Sequence, residues 1–340
     1  MDAHLVEVTR GGRVESSHMG SAIVVDADGA VLFQAGDIEA PVFTRSAIKA
    51  LLALPLVETG AADRLGLSDA ELALACASHV GEPIHAQTAA SMLRKAGQDP
   101  GCLECGIHWP TSRAGQRALF ETGQEPSALH NNCSGKHAGF VCLACDDGDA
   151  LAGYVRPEHA VMRKVTEAAA DMTGANMDAG NRAIDGCSIP TYAIPLRSLA
   201  YGFARFGTGA GLHPDRARAA TRLRRAVAAN PVLVAGEGRF DTRLMQAFGL
   251  SVFSKMGAEG MHVVSLPEQG LGIAVKCSDG ASRAAEVVIA ALVARSIEAT
   301  PEQYALLDGC MRPSLRNWNG IEVGELRPAP AFAQDKQGAG

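Results

Sequence analysis

Eleven residues from His130 to Phe140, HNNCSGKHAGF, hold a thiol, an amine, two imidazoles, a hydroxyl and two side-chain amides. Three interpretations compete for them: a reactive cysteine, a metal site, or a crowded polar loop. Cys187 lies in a second glycine-containing polar turn, so thiolates from two separate loops could meet at one metal ion. Zinc prefers sulfur and nitrogen ligands in tetrahedral geometry. Because an ammonium group must lose its proton before it binds metal, the residue types alone favour His137 over Lys136 as a third ligand.

A serine–lysine pair forms the second set of reactive groups, in FTRSAIKALLALPLVETG. Ser46 lies in the first turn of a predicted helix that Thr44 can cap, and Lys49, three residues later, shares its face. A lysine in a dry pocket has a lowered pKa and can take the proton of a nearby hydroxyl. This S-x-x-K spacing is typical of penicillin-recognising serine enzymes. The alternative is that Ser46 only caps the helix and Lys49 extends its amine to solvent.

Two more segments favour the catalytic interpretation of that pair. Penicillin-recognising enzymes place a second serine on the helical side and a Lys-x-Gly on a strand. LALACASHVGE offers Ser78 at the end of an apolar helix, and FSKMGAEGMHVV offers Lys255 and Gly257 before a β-rich run. The order and broad spacing fit a serine–lysine site. Under the alternative, Ser78 and His79 only end a helix and Lys255 is a solvated loop charge.

Four other cysteines form a C-x2-C…C-x2-C pattern, CLEC (102–105) and CLAC (142–145). The two pairs lie farther apart than the roughly 15 to 20 residues that usually separate the halves of a zinc site. Cys142 and Cys145 also fall in an apolar, helix-like segment, as small core residues do. A thioredoxin-like role would need a parallel βαβ unit, and neither pair lies in one. We therefore favour a core role for Cys142 and Cys145 over a zinc site on these four thiols.

The elements that must position the reactive groups begin and end the chain as strands. HLVEVTR and RVESSH flank Gly11-Gly12, and MHVVSLP and GLGIAVKC form a second hairpin pattern near the other end. Helical periodicity dominates between them. We predict an α+β fold with an antiparallel sheet from N- and C-terminal strands, flanked by helices. It would form one domain over 1–328, with an internal helical region over about 46–245 and a flexible tail over 329–340.

Composition excludes several classes of function. The formal net charge is −6, which argues against a basic surface that binds nucleic acid. Aromatic residues make up 5%, so few side chains are available to stack on bases. The longest apolar segments are shorter than the roughly 20 residues of a membrane span. MDAHLVEVTRGG lacks the basic and apolar start of a secretory signal, and an odd number of cysteines, nine, favours reduced thiols. We predict a cytoplasmic protein with no nucleic-acid or membrane partner.

Six segments in order carry a resemblance to a known family: VEVTRGGRVES, RSAIKALLALPLVETG, CASHVGEPIH, HNNCSGKHAGF, DGCSIPTYAIPL and KMGAEG. From about Val6 to Pro313 the chain resembles the rhizobial-type (class 3) L-asparaginases of the asparaginase II family. The resemblance implies a fold like that of serine β-lactamases and penicillin-binding proteins. It also implies a homodimer that hydrolyses L-asparagine to L-aspartate and ammonia.

Motif matching carries individual residues over from that family. The resemblance implies two catalytic pairs, Ser46 with Lys49 and Ser78 with Lys255. It also implies a zinc ion held by Cys133, Lys136 and Cys187, which replaces His137 as the third ligand. The residues predicted to contact the substrate are Arg45, His79, Asp185 and His137.

Two rival functions stay open at this point. One is another serine–lysine amidohydrolase or a β-lactamase-like hydrolase with the same pairs. The other, of a different class, is a zinc-binding scaffold without catalytic activity.

Overall fold

The β-rich patterns at the two ends of the sequence form one antiparallel sheet in the computed structural model, which describes residues 1–332. Its eight strands follow the order β10-β11-β1-β2-β9-β8-β7, with β3 paired to β2, while β4, β6 and β5 form a small separate sheet. The strands of the described residues are β1 (Ala3–Arg10), β2 (Arg13–Asp26), β3 (Val31–Ala35), β4 (Pro41–Phe43), β5 (Arg182–Ile184), β6 (Pro190–Pro195), β7 (Phe253–Met256), β8 (Met261–Leu266), β9 (Leu271–Cys277), β10 (Ser314–Arg316) and β11 (Glu322–Pro328). The predicted α+β class and its sheet built from both termini are confirmed.

Helices supply most of the chain between β4 and β7 and cover both faces of the sheet. Over residues 1–332 they are α1 (Lys49–Leu52), α2 (Leu54–Glu58), α3 (Ala61–Arg64), α4 (Asp69–Ala75), α5 (Pro83–Lys95), α6 (Arg113–Thr122), α7 (Ser134–Asp147), α8 (Ala160–Thr173), α9 (Leu196–Thr208), α10 (Pro214–Ala229), α11 (Pro231–Ala235), α12 (Phe240–Phe248), α13 (Ser282–Ser296) and α14 (Pro301–Met311). None of these described helices combines the length and the apolar character needed to cross a membrane.

Strand β2 contributes side chains to two hydrophobic cores, one on each face of the sheet. Ile23 and Val25 belong to the core that includes α9 and the helical middle of the chain. Ala22 and Val24, which alternate with them along the strand, belong to the core that includes α13 on the opposite face. Successive side chains of a strand point to opposite faces, so a continuous apolar run is the pattern of a strand that is covered on both sides. Full burial of such a side chain contributes about 1.5–3 kcal/mol.

Helix α9 lies directly on β9, and Gly272 allows that approach. A Cβ atom placed at Gly272 would overlap the carbonyl oxygen of Ala200 in α9. The absence of a side chain therefore sets the distance between this helix and the centre of the sheet.

The predicted flexible tail does not start at residue 329. Ala329 and Phe332 are 2% and 1% exposed. The Ala329 amide donates to the Leu5 carbonyl at 2.9 Å, and the Phe332 ring packs against Phe33 with a centroid distance of 5.3 Å. The prediction is wrong for residues 329–332, because the phenyl ring finds an apolar site beside the sheet. Residues 333–340 of the predicted tail lie outside the described residues.

We expect Gly272→Ala to lower the free energy of unfolding by about 2 kcal/mol or more, because the added methyl group would push α9 off the sheet. Urea unfolding followed by circular dichroism measures this. Gly309→Ala is the matched control, since a Cβ at that helical position meets no atom within 4 Å. The control should be neutral or stabilising by up to about 1 kcal/mol. Equal effects of the two substitutions would contradict the packing argument.

Candidate active site

Ser78 lies where two buried lysines meet. The Nζ atom of Lys49 donates to Ser78 Oγ at 2.8 Å, and the Nζ atom of Lys255 donates to the same oxygen at 2.9 Å. Lys49 opens α1, Ser78 follows α4, and Lys255 lies in the edge strand β7. The site therefore forms where the helical middle of the chain contacts the edge of the sheet.

Backbone carbonyl oxygens also accept hydrogen bonds from both lysine side chains. Lys49 Nζ also donates to the carbonyl oxygens of Ala77 at 2.6 Å and Asn132 at 3.4 Å. Lys255 Nζ donates to the Met256 carbonyl at 2.6 Å. Burial, reinforced by the positive charge of Lys49, lowers the pKa of Lys255 to about 7. A substantial fraction of Lys255 is then neutral near pH 7 and able to accept a proton.

Ser46 is placed differently from the prediction. It lies in a 3-10 turn, Arg45–Ile48, and Thr44 makes no side-chain capping bond, so the predicted Thr44 cap is wrong. The chain enters this turn through Arg45, which has a φ of 46°. Within the described residues, Lys49 Nζ bonds to Ser78 and to carbonyl oxygens and not to Ser46. Ser46 instead lines a cavity together with Lys49, Lys136 and Asp185.

Cys133, Lys136 and Cys187 come together beside that cavity. Lys136 Nζ donates to Cys187 Sγ at 2.9 Å, and Cys133 lies close enough to interact electrostatically with both side chains. All three side chains are buried. The interaction with Cys187 lowers the pKa of Cys133 well below its usual range, against the effect of burial, and the charge of Lys136 contributes. Burial alone would lower the pKa of Lys136, but the neighbouring sulfur atoms outweigh it and raise that pKa.

This donor set fits a zinc ion. Two sulfur atoms and one amine nitrogen are neighbours here, with Lys136 Nζ at 2.9 Å from Cys187 Sγ, and zinc takes sulfur and nitrogen ligands. Cys133 and Lys136 lie one helical turn apart at the start of α7, and Cys187 comes from the loop between β5 and β6. Lysine would bind only after losing its proton.

The CLEC and CLAC cysteines form no such centre. Cys105 and Cys142 belong to the hydrophobic core, and the Cys142 thiol donates to the Met92 carbonyl. Among residues 1–332, no group of three or more His, Cys, Asp or Glu side chains is arranged to hold a metal ion. The set of Cys133, Lys136 and Cys187 contains only two such side chains.

Arg45 and Asp185 form an ion pair at the cavity. Arg45 Nε donates to Asp185 Oδ1 at 2.7 Å, and the Cys187 thiol approaches Oδ2 at 3.7 Å. Burial alone would raise the pKa of Asp185, but the Arg45 hydrogen bond and the charge of Lys136 outweigh it and lower that pKa. A guanidinium next to an ionised carboxylate can bind a molecule that carries both charges, such as a free amino acid.

His79 and His137 lie behind the site, and neither lines the cavity. The Nε2 atom of His79 is 2.9 Å from Ser134 Oγ, and its ring stacks on His85. The Nδ1 atom of His137 is 2.7 Å from the hydroxyl oxygen of Tyr154. Both were predicted as substrate contacts, and the structure places their imidazoles against Ser134 and Tyr154.

The sequence patterns did not predict two groups of site residues. The carbonyl oxygens of Ala77 and Asn132 hold Lys49, but a backbone acceptor leaves no signal in residue type. One wall of the cavity is apolar, and in sequence such residues match an ordinary buried helix face. These wall residues are Leu52, Met162, Val165, Ala169 and Met177.

A serine hydroxyl held between two buried lysines is suited to the chemistry of a hydrolase. The chain belongs to the L-asparaginase II family, whose family model matches residues 6–328. The predicted family is therefore confirmed. None of the curated proteins matches the chain significantly.

Several solved structures are similar to this chain over about three quarters of its length, at low sequence identity. A β-lactamase from Mycobacterium bovis is 15% identical with a TM-score of 0.40, over 78% of this chain and 89% of its own. A Bacteroides dorei protein provisionally described as a β-lactamase is 14% identical with a TM-score of 0.38, over 76% and 84%. Simvastatin synthase from Aspergillus terreus is 14% identical with a TM-score of 0.35, over 76% and 85%.

The buried imidazoles behind the site should make stability depend on pH. Burial lowers the pKa of His79 and of His85, whereas an unfolded histidine takes up a proton near pH 6.5. Below that pH the unfolded chain binds more protons than the folded one. We therefore expect the free energy of unfolding to fall by up to about 1.4 kcal/mol per pH unit for each such imidazole.

Urea unfolding between pH 6.5 and pH 5.5 measures this dependence. His85→Gln can keep a hydrogen bond to the Val232 carbonyl and should show a shallower loss of stability than the unsubstituted protein. An identical slope in the variant would show that His85 does not stay neutral in the folded state.

Proposed function

We propose that this protein hydrolyses L-asparagine to L-aspartate and ammonia by a serine–lysine mechanism, next to a zinc site. The observation that carries the proposal is the Ser78 hydroxyl shared by Lys49 and Lys255, beside a cavity lined by Ser46. Membership of the L-asparaginase II family supports the side-chain amide of asparagine as the bond that is cleaved.

Charged side chains at the cavity suit the amino-acid end of asparagine. Arg45 can bind the α-carboxylate, and Asp185 can bind the α-ammonium group. Both side chains line the same cavity as Ser46, so a bound amino acid can direct its side chain toward that hydroxyl. The fit depends on both ends of the substrate being held at once.

Ser46 is the proposed nucleophile. It is half-buried and lines the cavity, whereas Ser78 is buried and engaged by two ammonium groups. Lys49, when neutral, takes the proton of Ser46 as its oxygen attacks the amide carbon. The chain Lys49–Ser78–Lys255 then delivers a proton to the departing nitrogen, which leaves as ammonia. Water attacks the aspartyl ester, releases L-aspartate and restores the serine hydroxyl.

Cys133, Lys136 and Cys187 are the proposed zinc ligands. When bound, the ion would supply positive charge for the carboxylate end of the substrate, directly or through a water molecule. Two thiolates already neutralise its charge, so we propose that it raises affinity for asparagine rather than kcat. Lys136 lines the cavity, which supports a location of the ligands next to bound substrate.

The family resemblance supports a homodimer, and the odd number of cysteines supports a cytoplasmic location. We propose that the protein acts as a homodimer and that it works in the cytoplasm. The proposed catalytic steps do not depend on the oligomeric state or on the location of the protein.

Ser46→Ala should lower kcat for ammonia release from L-asparagine to background, because the ester can no longer form. Ser78→Ala should retain some activity and lose about 10²- to 10⁴-fold, the usual contribution of positioned proton transfer. A direct assay of ammonia, with L-glutamine run in parallel, measures both variants. Ser16→Ala, at an exposed position on β2, is the control and should be fully active.

The opposite ranking of the two serine variants would make Ser78 the nucleophile. Hydrolysis of nitrocefin without ammonia release would identify a β-lactamase-like hydrolase instead. A protein that binds zinc but hydrolyses neither compound would be the non-catalytic scaffold.

Removing a sulfur ligand should separate affinity from rate. We expect Cys133→Ser and Cys187→Ser to lose bound zinc and to raise the KM for asparagine at least tenfold, with kcat changed less than KM. Metal content by mass spectrometry and steady-state kinetics measure this. Cys145→Ser, in the CLAC pair, should keep its zinc. Loss of kcat at saturating asparagine after chelation would overturn the proposed role of the ion.

A further inference from the structure

A buried network of three polar side chains lies directly behind Lys255. Asp241 Oδ1 accepts from Ser254 Oγ at 2.6 Å, and His262 Nε2 lies 2.9 Å from the same carboxylate oxygen. Ser254 Oγ and His262 Nε2 are 3.0 Å apart. Each of the three side chains is at most 2% exposed. Asp241 comes from α12, Ser254 from β7 and His262 from β8, so the network joins the edge of the sheet to one helix.

These residue types are those of a Ser-His-Asp triad, but their geometry does not make a second nucleophilic site. In a triad the imidazole stands between serine and carboxylate and uses a different nitrogen for each. Here the same nitrogen of His262 faces both groups, and Ser254 donates directly to Asp241. None of the three residues lines a described cavity, so a substrate does not reach them. The network must act through its neighbours.

The neighbour it holds is the peptide that carries Lys255. Asp241 Oδ2 accepts from the Met256 amide at 2.9 Å, while the Met256 carbonyl accepts from Lys255 Nζ at 2.6 Å. One carboxylate therefore binds the side chain of the residue before Lys255 and the backbone of the residue after it. We propose that Asp241 is a positioning residue that holds Lys255 Nζ on the Ser78 hydroxyl for the reaction.

The negative charge of the Asp241 carboxylate also supports its role in positioning Lys255. Asp241 is the ionised carboxylate among the groups that face Lys255, and its charge favours the ammonium form against burial and against the charge of Lys49. The Asp241 carboxylate is itself kept ionised, with a pKa far below its usual range: burial opposes this, but His262, Lys255 and Ser254 outweigh it. Burial raises the pKa of Glu286, on α13.

The inference rests on the proposed function for its kinetic part only. We expect Asp241→Asn to lower kcat for ammonia release by roughly 10²-fold, the usual cost of a small misplacement of a reacting group, with KM changed less than threefold. Crystal structures of the unsubstituted protein and the variant give a second readout that needs no substrate. The separation of Lys255 Nζ and Ser78 Oγ, 2.9 Å here, should lengthen beyond hydrogen-bond distance in the variant.

Thr242→Val is the matched control. Thr242 is buried on the same turn of α12 and donates to the Gly236 carbonyl, so its loss should destabilise the helix without moving Lys255. Ser254→Ala removes one bond to Asp241 and serves where Asp241→Asn does not fold; its expected loss in kcat is about tenfold. Unchanged kcat in a folded Asp241→Asn or Ser254→Ala variant, or a loss no larger than in Thr242→Val, would overturn the proposal.

The two proposals fail in distinguishable ways. An unsubstituted protein that releases no ammonia from asparagine would end the proposed function, while the distance between Lys255 and Ser78 in the two crystal structures would still test Asp241. An unchanged distance in Asp241→Asn would overturn the positioning role even in an active enzyme.

Discussion

The rest of the site depends on one constraint: two lysine side chains are buried against a single serine hydroxyl. Removing an ammonium group from water costs several kcal/mol unless the protein supplies compensating groups. Here the compensation comes from the carbonyl oxygens of Ala77, Asn132 and Met256 and from the carboxylate of Asp241. Incomplete compensation is also useful, because it brings the pKa of Lys255 to about 7.

That constraint explains why the helical middle of the chain is attached to the edge of the sheet. Lys49 belongs to the helical side and Lys255 to β7, and Ser78 is bonded to both. Gly257, immediately after β7, is packed so closely that a Cβ there would lie 3.0 Å from the Ala47 amide. Gly135 has a similar role at α7, where a Cβ would overlap the Leu74 carbonyl. These close approaches bring the serine–lysine centre and the thiol cluster into one region.

Predictions from sequence were most accurate where a local pattern carries the information. The hairpin at Gly11-Gly12 and the strands at both ends follow from alternation and turn residues, and the structure pairs them as expected. The predictions were weaker where neighbours in sequence diverge in space. The S-x-x-K spacing predicted Ser46 as the partner of Lys49, but the Lys49 amine donates its side-chain hydrogen bond to Ser78. Phe332 matched a flexible tail by composition, yet an apolar site next to Phe33 holds it.

The sequence by itself determined which reactive groups the protein has and which family it belongs to, because residue types and motif order are written directly in the chain. Tertiary structure alone decided that Lys49 and Lys255 share Ser78, that Lys136 meets Cys187, and that Asp241 supports the Lys255 peptide. Hydrogen bonds and charge interactions depend on separations of a few ångströms between residues far apart in sequence. Only the packing of helices against the sheet fixes those separations.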